Sequence, residues 1–326
     1  MSIDIGRAAM DALEAAIAER WRATADQVAS TAHAIRERRL ILANSAEAIT
    51  ERRNRLQRRN LHLEGIVDED DSVWLSFFSR GLAAARSVGR VVLLAGGGEP
   101  VRPAGTGVLV APALLLTNNH VVWDGERAAA MSVELGYDYD DTGAALPFQA
   151  CRLEPHRCFW TDEELDFTVV AVADLDGRPP GDKYGVTPLI EPTGKALKTE
   201  ILNVIHHPGG ERKRLSIREN RLVAEDELWL RYASDTSRGS SGAPVFNDQW
   251  EMVALHHGGV SVRDAGGAQL SRAGQRWTEN VGDEAKAYLA NEGARVSRIV
   301  RRLRAAALDP PARAMVEQAL QAGAGR

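Results

Sequence analysis

Residues 106–122 read TGVLVAPALLLTNNHVV. Two short apolar runs flank a proline turn at Pro112, and the second closes on the polar residues Thr117, Asn118 and Asn119 and a histidine, His120. Similar runs succeed one another from Arg90 onward: VVLLA, MSVEL, PFQACRL, FTVVAV, EILNVI, RLSI, LWLRYA, APVF and EMVALHH. Many short apolar runs separated by turn-rich pieces predict an all-β barrel or sandwich. After about Gly282 the texture becomes helical in DEAKAYLANEG, VSRIVRRLRAAAL and PARAMVEQAL.

Upstream of the β-rich part, no Gly or Pro occurs from Arg7 to Glu64, and Trp21, Val28, Ile35, Leu42, Ile49 and Leu56 recur every seven residues. This predicts a helical, coiled-coil-like seam, with Arg39 and Arg53 as its imperfections. Asn44 followed by Glu47 resembles a capping box that would fold the segment into a hairpin; one long helix is the alternative. The basic run from Arg52 to Arg59 reads as a solvated helix face, because aromatics able to stack on bases are absent. Residues 72–88 predict an amphipathic helix packed on the β-rich part. The expected organisation is a helical hairpin or coiled coil over 1–64, a connecting segment and helix over 65–89, a β domain over 90–292 and a C-terminal helical extension over 293–326.

The 326 residues allow a sizeable core, and 44% apolar with 26% charged residues is a soluble globular profile. A formal charge of −5 argues against a dedicated nucleic-acid binder. The first residues carry acids throughout and lack the apolar core of a secretory signal, and no stretch approaches a membrane span. With only Cys151 and Cys158, read as reduced, partly buried thiols, a cytoplasmic location is expected.

The chemistry concentrates in Gly239-Ser240-Ser241-Gly242-Ala243-Pro244-Val245. A serine hydroxyl needs a base to act as nucleophile, and its tetrahedral intermediate needs N–H donors. Glycine two before Ser241 lets the amides of Gly239 and Ser241 converge as an oxyanion hole. His120 supplies the base. Asp166, opening the apolar run Phe167-Thr168-Val169-Val170, supplies the carboxylate that would fix its tautomer. The pair His206-His207 reads as a turn between strands, and the acidic run from Tyr137 to Asp141 as a solvated loop. No metal or cofactor is implied.

Three segments in this order, TGVLVAPALLLTNNHVV, ELDFTVVAV and DTSRGSSGAPVFN, resemble the bacterial branch of the chymotrypsin-like serine peptidases, including the glutamyl endopeptidases, over roughly residues 90–290. The resemblance implies a mainly β double six-stranded barrel, with His120 and Asp166 in the first barrel, Ser241 in the second and the active site between them. It implies that His257 and Gly258 lie on the strand that pairs with substrate backbone, and that the helices near 283–305 match the family's C-terminal helix. Asp235 matches the base of the first specificity pocket, where a carboxylate would attract Lys or Arg. Thr236 and His256 match residues that hold an acidic side chain in glutamyl endopeptidases, with Arg238 at the mouth, and both preferences stay open. Ser240 stands where animal digestive members carry the aspartate that pairs with a freshly cut N-terminus, so that switch is missing. The expectation is a serine endopeptidase acting on protein or peptide substrates through an acyl-enzyme, regulated by N-terminal helices that mediate self-association or partner docking.

Overall fold

The computed structural model describes residues 2–57, 73–95, 100–234, 236, 239–282 and 285–324. Two antiparallel sheets of seven strands each carry the fold. The first contains β1 (Val88–Leu94), β2 (Pro100–Ala111), β3 (Leu114–Thr117), β4 (Met131–Leu135), β5 (Gln149–Arg152), β6 (Phe159–Asp162) and β7 (Phe167–Ala171), in the order β5-β4-β1-β2-β3-β7-β6. The second contains β8 (Asn203–His206), β9 (Arg214–Ser216), β10 (Leu222–Glu225), β11 (Trp229–Tyr232), β12 (Pro244–Phe246), β13 (Met252–Ser261) and β14 (Tyr288–Arg295), in the order β10-β11-β14-β13-β12-β8-β9. The architecture is mainly β, as the sequence led us to expect, with one more strand per sheet than the six of the resemblance.

The continuous apolar runs have a geometric cause. Side chains alternate between the two faces of a strand, and here both faces are buried. Val108, Val110, Leu114, Leu116, Val169 and Ala171 pack in a core that also contains Phe246 and Leu255 of the second sheet. Leu109, Leu115 and Val170, on the opposite face, join Val91, Val133 and Leu135 in a core confined to the first sheet. A second-sheet counterpart gathers Val204, Leu222, Tyr232 and Val245.

Helices lie at both ends of the chain: α1 (Ser2–Ala23), α2 (Ala25–Arg36), α3 (Ala46–Gln57) and α4 (Ser76–Arg86) precede the sheets, α5 (Gly125–Ala129) and α6 (Pro180–Tyr184) are short insertions, and α7 (Val296–Ala305) and α8 (Pro310–Ala324) follow β14. The seven-residue seam does not run along one continuous helix. The first 57 residues break at Thr24 and again between Arg36 and Ala46, and Leu42 is 65% exposed. The cap before α3 is displaced by one residue from the expected box. Ser45 Oγ accepts from the amide of Ala48, while Asn44 exchanges two hydrogen bonds with the backbone of Lys198. The basic run is not simply solvated either: Arg52 is buried on Glu200 and Gln249, and Arg55 pairs with Glu251. Arg58 and Arg59 lie outside the described residues. α4 does pack as expected, with Phe77 buried against Trp250.

One C-terminal expectation is overturned. Residues 288–295, YLANEGAR, form the strand β14 between β11 and β13 instead of a helix. Helix-favouring residues such as Leu, Ala and Glu yield here to pairing on both edges, a case of tertiary context overriding weak local propensity. Helix begins only at Val296.

Candidate active site

The apolar runs deliver polar residues to strand ends. His120 lies in the turn after β3, and Asp166 immediately precedes β7, the strand paired with β3. Asp166 has a φ of +48°, a left-handed conformation that Asp tolerates better than most residues, and its carbonyl is held by Asn118 Nδ2 at 2.8 Å. Its carboxylate accepts from the His120 amide on Oδ1 at 2.9 Å and meets His120 Nδ1 on Oδ2 at 2.7 Å. Burial alone would push the Asp166 carboxyl up; His120 and then His257 outweigh it and hold the group well below the usual carboxylate range.

Ser241 lies in the turn before β12, yet it is tied to the first sheet. Its carbonyl accepts from the Thr106 amide of β2 at 2.8 Å. A Cβ added to Gly105 would meet that carbonyl and Val121, the residue after His120, each at 2.9 Å. Glycine is therefore required where the Ser241 turn and the His120 turn close on one another. Gly242, at φ +84°, is needed for a similar reason: a Cβ there would lie 2.1 Å from the Thr106 carbonyl. Gly239 has φ +95°, and its carbonyl accepts from Thr106 Oγ1 at 2.8 Å. Ser240 points away into the second sheet, with Oγ 2.7 Å from His206 Nδ1. His206 and His207 are both buried, and burial lowers them to about 4 and about 3. They are uncharged packing residues beside the turn that carries Ser241.

Of the residues expected to line the specificity pocket, Asp235 and Arg238 lie outside the described residues. Thr236 Oγ1 donates to Asn291 Oδ1 at 2.5 Å. His256 is buried with Nδ1 2.8 Å from the Tyr232 hydroxyl, and burial drives it well below its ordinary value, so its ring is neutral. Gly258 pairs with Glu292 of β14, and the space beside its Cα is occupied by Ile17 of α1. Among the described residues no group of three or more His, Cys, Asp or Glu is arranged to hold a metal ion. Cys151 and Cys158 are free and buried.

Residues 105–255 match the family model described as the trypsin-like peptidase domain. This stretch is a trypsin-like peptidase domain. The chain is 37% identical over 255 residues to an uncharacterized protein, y4fB, of Sinorhizobium fredii, covering 73% of this chain. The chain spans 38% of that relative's length. Among solved structures, it is similar to a protease from M. tuberculosis in its active form, at 16% identity over 76% of this chain and 96% of that one, with a TM-score of 0.45. It is also similar to a serine endoprotease from Yersinia pestis, at 16% identity over 72% and 67% of the two chains, with a TM-score of 0.46.

Two further polar groups reach the site from beyond the matched stretch. His257, read only as part of a substrate-pairing strand, turns its side chain onto Asp166, with Nδ1 2.9 Å from Oδ2. Glu292 of β14 stands 3.1 Å from His257 Nε2. The signal for His257 was its place beside His256. The register of β13 against β14 slips between His256 and Gly258, so His257 sits at a bulge, a device that re-aims a side chain. Glu292 gave no such signal, because its segment read as helix.

Proposed function

We propose that the chain is a serine endopeptidase that cleaves protein or peptide bonds through a Ser-His-Asp acyl-enzyme. Ser241 attacks the scissile carbonyl, His120 takes and returns the proton, Asp166 orients His120, and the amides of Gly239 and Ser241 hold the oxyanion. The observation carrying this reading is the doubly bonded Asp166–His120 pair. A carboxylate on Nδ1 at 2.7 Å fixes the tautomer with Nε2 as the basic nitrogen. Ser241→Ala tests it: cleavage of casein or a peptide library falls on the order of 10⁶-fold while the fold is kept. Labelling by a fluorophosphonate, located by mass spectrometry, falls on the Ser241 peptide. Cleavage by Ser241→Ala at the wild-type rate refutes the assignment.

In this reading the first specificity pocket draws on Asp235, Thr236 and His256: Thr236 and His256 would hold an acidic side chain, whereas Asp235 would attract Lys or Arg, and the neutral His256 ring favours the acidic case. If the Tyr232 hydroxyl donates to His256 Nδ1, the neutral ring keeps its proton on Nε2 and offers it to a carboxylate. A fluorogenic panel with Glu, Asp, Arg, Lys and Leu before the cleaved bond checks this. His256→Ala removes an acidic preference; a preference for Arg or Lys that Asp235→Ser abolishes assigns the pocket to Asp235 instead. Substrate backbone pairs along His257 and Gly258. The N-terminal helices regulate the site and mediate self-association or partner docking. No helix among the described residues is long and apolar enough to cross a membrane, and the two free, buried thiols suit a cytoplasmic location.

A further inference from the structure

His257 is fully buried, and both its ring nitrogens face carboxylates: Nδ1 lies 2.9 Å from Asp166 Oδ2, and Nε2 lies 3.1 Å from Glu292 Oε1. Only an imidazolium donates from both nitrogens. Arg20 Nη2 also stands 3.3 Å from His257 Nε2, but Glu292 Oε1 is nearer, at 3.1 Å, and a neutral ring protonated on Nδ1 would turn its Nε2 lone pair on that buried carboxylate, which is costly. Burial by itself disfavours the charged ring, but hydrogen bonds to Asp166 and Glu292 outweigh it and raise the group above its ordinary value.

The chain of charges continues into the N-terminal helix. Glu292 Oε1 accepts from Arg20 Nε at 3.0 Å and Nη2 at 2.6 Å. Glu292 Oε2 lies 3.0 Å from Arg231 Nη2, which also pairs with Asp226 at 2.7 Å. The same indole, Trp229, stacks on His257 at 4.5 Å and carries the Arg20 guanidinium at 4.4 Å. One turn before Arg20, Ile17 is buried against Val260 and Ala290. Around His257, then, stand Asp166 before β7, His120 after β3, Glu292 on β14, Arg231 on β11, Arg20 on α1 and the neutral His256 beside it. Positive and negative groups alternate outward from Asp166. Without Arg20, the charge on Glu292 Oε1 falls to His257 alone. The imidazolium is then drawn toward Glu292, and Asp166 loses hold of one of its three N–H donors.

We propose that His257 is a positively charged positioning residue for the Asp166 carboxylate, and that Arg20, by sharing the charge of Glu292, makes this positioning depend on the docking of α1. The inference rests on Ser241, His120 and Asp166 acting as the triad. It gives the N-terminal helix a supporting role: α1 docked means Asp166 aligned.

The test uses the full chain and a small fluorophosphonate, whose reaction with Ser241 reports the triad independently of any peptide subsite. Arg20→Ala lowers the labelling rate on the order of 10–100-fold, the scale of a small misplacement of a reacting group, and Arg20→Lys recovers part of it. His257→Gln keeps a donor but removes the charge that offsets Asp166. Protonated His120 is then better stabilised, and the acid limb of the labelling profile moves to higher pH. A purely structural loss lowers the rate without moving that limb. Nitrogen NMR of the wild type shows His257 doubly protonated at neutral pH. Labelling of Arg20→Ala at the wild-type rate or faster overturns the proposal, as does an unmoved limb in His257→Gln or a neutral His257 ring. The Arg20 side chain is 27% exposed, so its variants keep the fold and decide the matter even where His257→Gln does not. If wild-type Ser241 is never labelled, the triad reading fails, and the NMR result still decides the charge of His257.

Discussion

The helices before the sheets and those after them are held by different forces. From α7 and α8, Val296, Ile299, Val300, Leu303, Val316, Ala319 and Leu320 belong to the large core shared by both sheets. The N-terminal helices contribute few such anchors. Ile17 fills a small apolar site with Val260 and Ala290, Ala34, Leu56 and Phe77 are buried singly, and many of the remaining contacts are polar. Gln27 exchanges two hydrogen bonds with the backbone of Glu225, Asn44 does the same with Lys198, and Arg20, Arg52 and Arg55 pair with Glu292, Glu200 and Glu251. Apolar burial is non-directional and nearly indifferent to salt, whereas ion pairs respond to salt and pH. The C-terminal helices are therefore part of the folding unit, and the N-terminal helices are a docked layer that conditions can loosen.

The largest expected effect on stability lies in the C-terminal region. Leu303→Ala removes a fully buried side chain and costs about 2–5 kcal/mol. Urea unfolding at low and high ionic strength checks it, and a strongly salt-dependent loss would break the contrast. Gly323→Ala sharpens it further. Alanine should favour a helix by about 1 kcal/mol over glycine, but a Cβ there would lie 1.9 Å from the Leu189 carbonyl. Overpacking on a rigid backbone costs about 1–3 kcal/mol, so the variant unfolds at lower urea; a rise in the midpoint would mean that α8 docks loosely.

Effects in the N-terminal layer are smaller. The Arg52 side chain is 4% exposed but its partner Glu200 is 30% exposed, so Arg52→Ala falls between surface and buried pairs, at about 1–2 kcal/mol. Its effect on limited proteolysis of residues 2–57 shrinks as salt is added, and a salt-independent change would count against polar docking. The smallest effect is in pH. Burial raises the Glu292 carboxyl, but His257 and Arg20 outweigh it and lower the group below its ordinary 4.5, so its contribution is present above that value and fades as pH falls through the folded one. His257 is raised above 6.5, so its contribution is complete below that value and fades as pH rises through the folded one. Docking of α1 should be firmest between these limits. Tryptophan fluorescence across a pH series reads it through Trp21 and Trp229, and a signal that stays flat on both sides would exclude this pair as the tether.

Much of the β framework was legible because its strands are buried on both faces: LLLT and FTVVA are continuous apolar runs that need no alternation to be recognised. The three polar motifs stood out for the same reason, as hydroxyl, imidazole and carboxylate groups at the ends of apolar runs. The trypsin-like peptidase domain they predicted is the one the family model matches over residues 105–255. Phe159–Asp162 and Leu222–Glu225 escaped notice as strands because they are short and only partly apolar.

Local pattern and residue chemistry were thus sufficient for the class of fold and for the short segments in which His120, Asp166 and Ser241 stand. Tertiary structure alone decided which distant residues share a charge. Arg20, Asp166, His257 and Glu292 are separated by up to 272 positions, and no periodicity links them. They meet because β13 and β14 pair side by side at the seam between the sheets while α1 lies across them. Buried ions demand partners wherever the fold brings them within reach, and that requirement acts through space rather than along the chain.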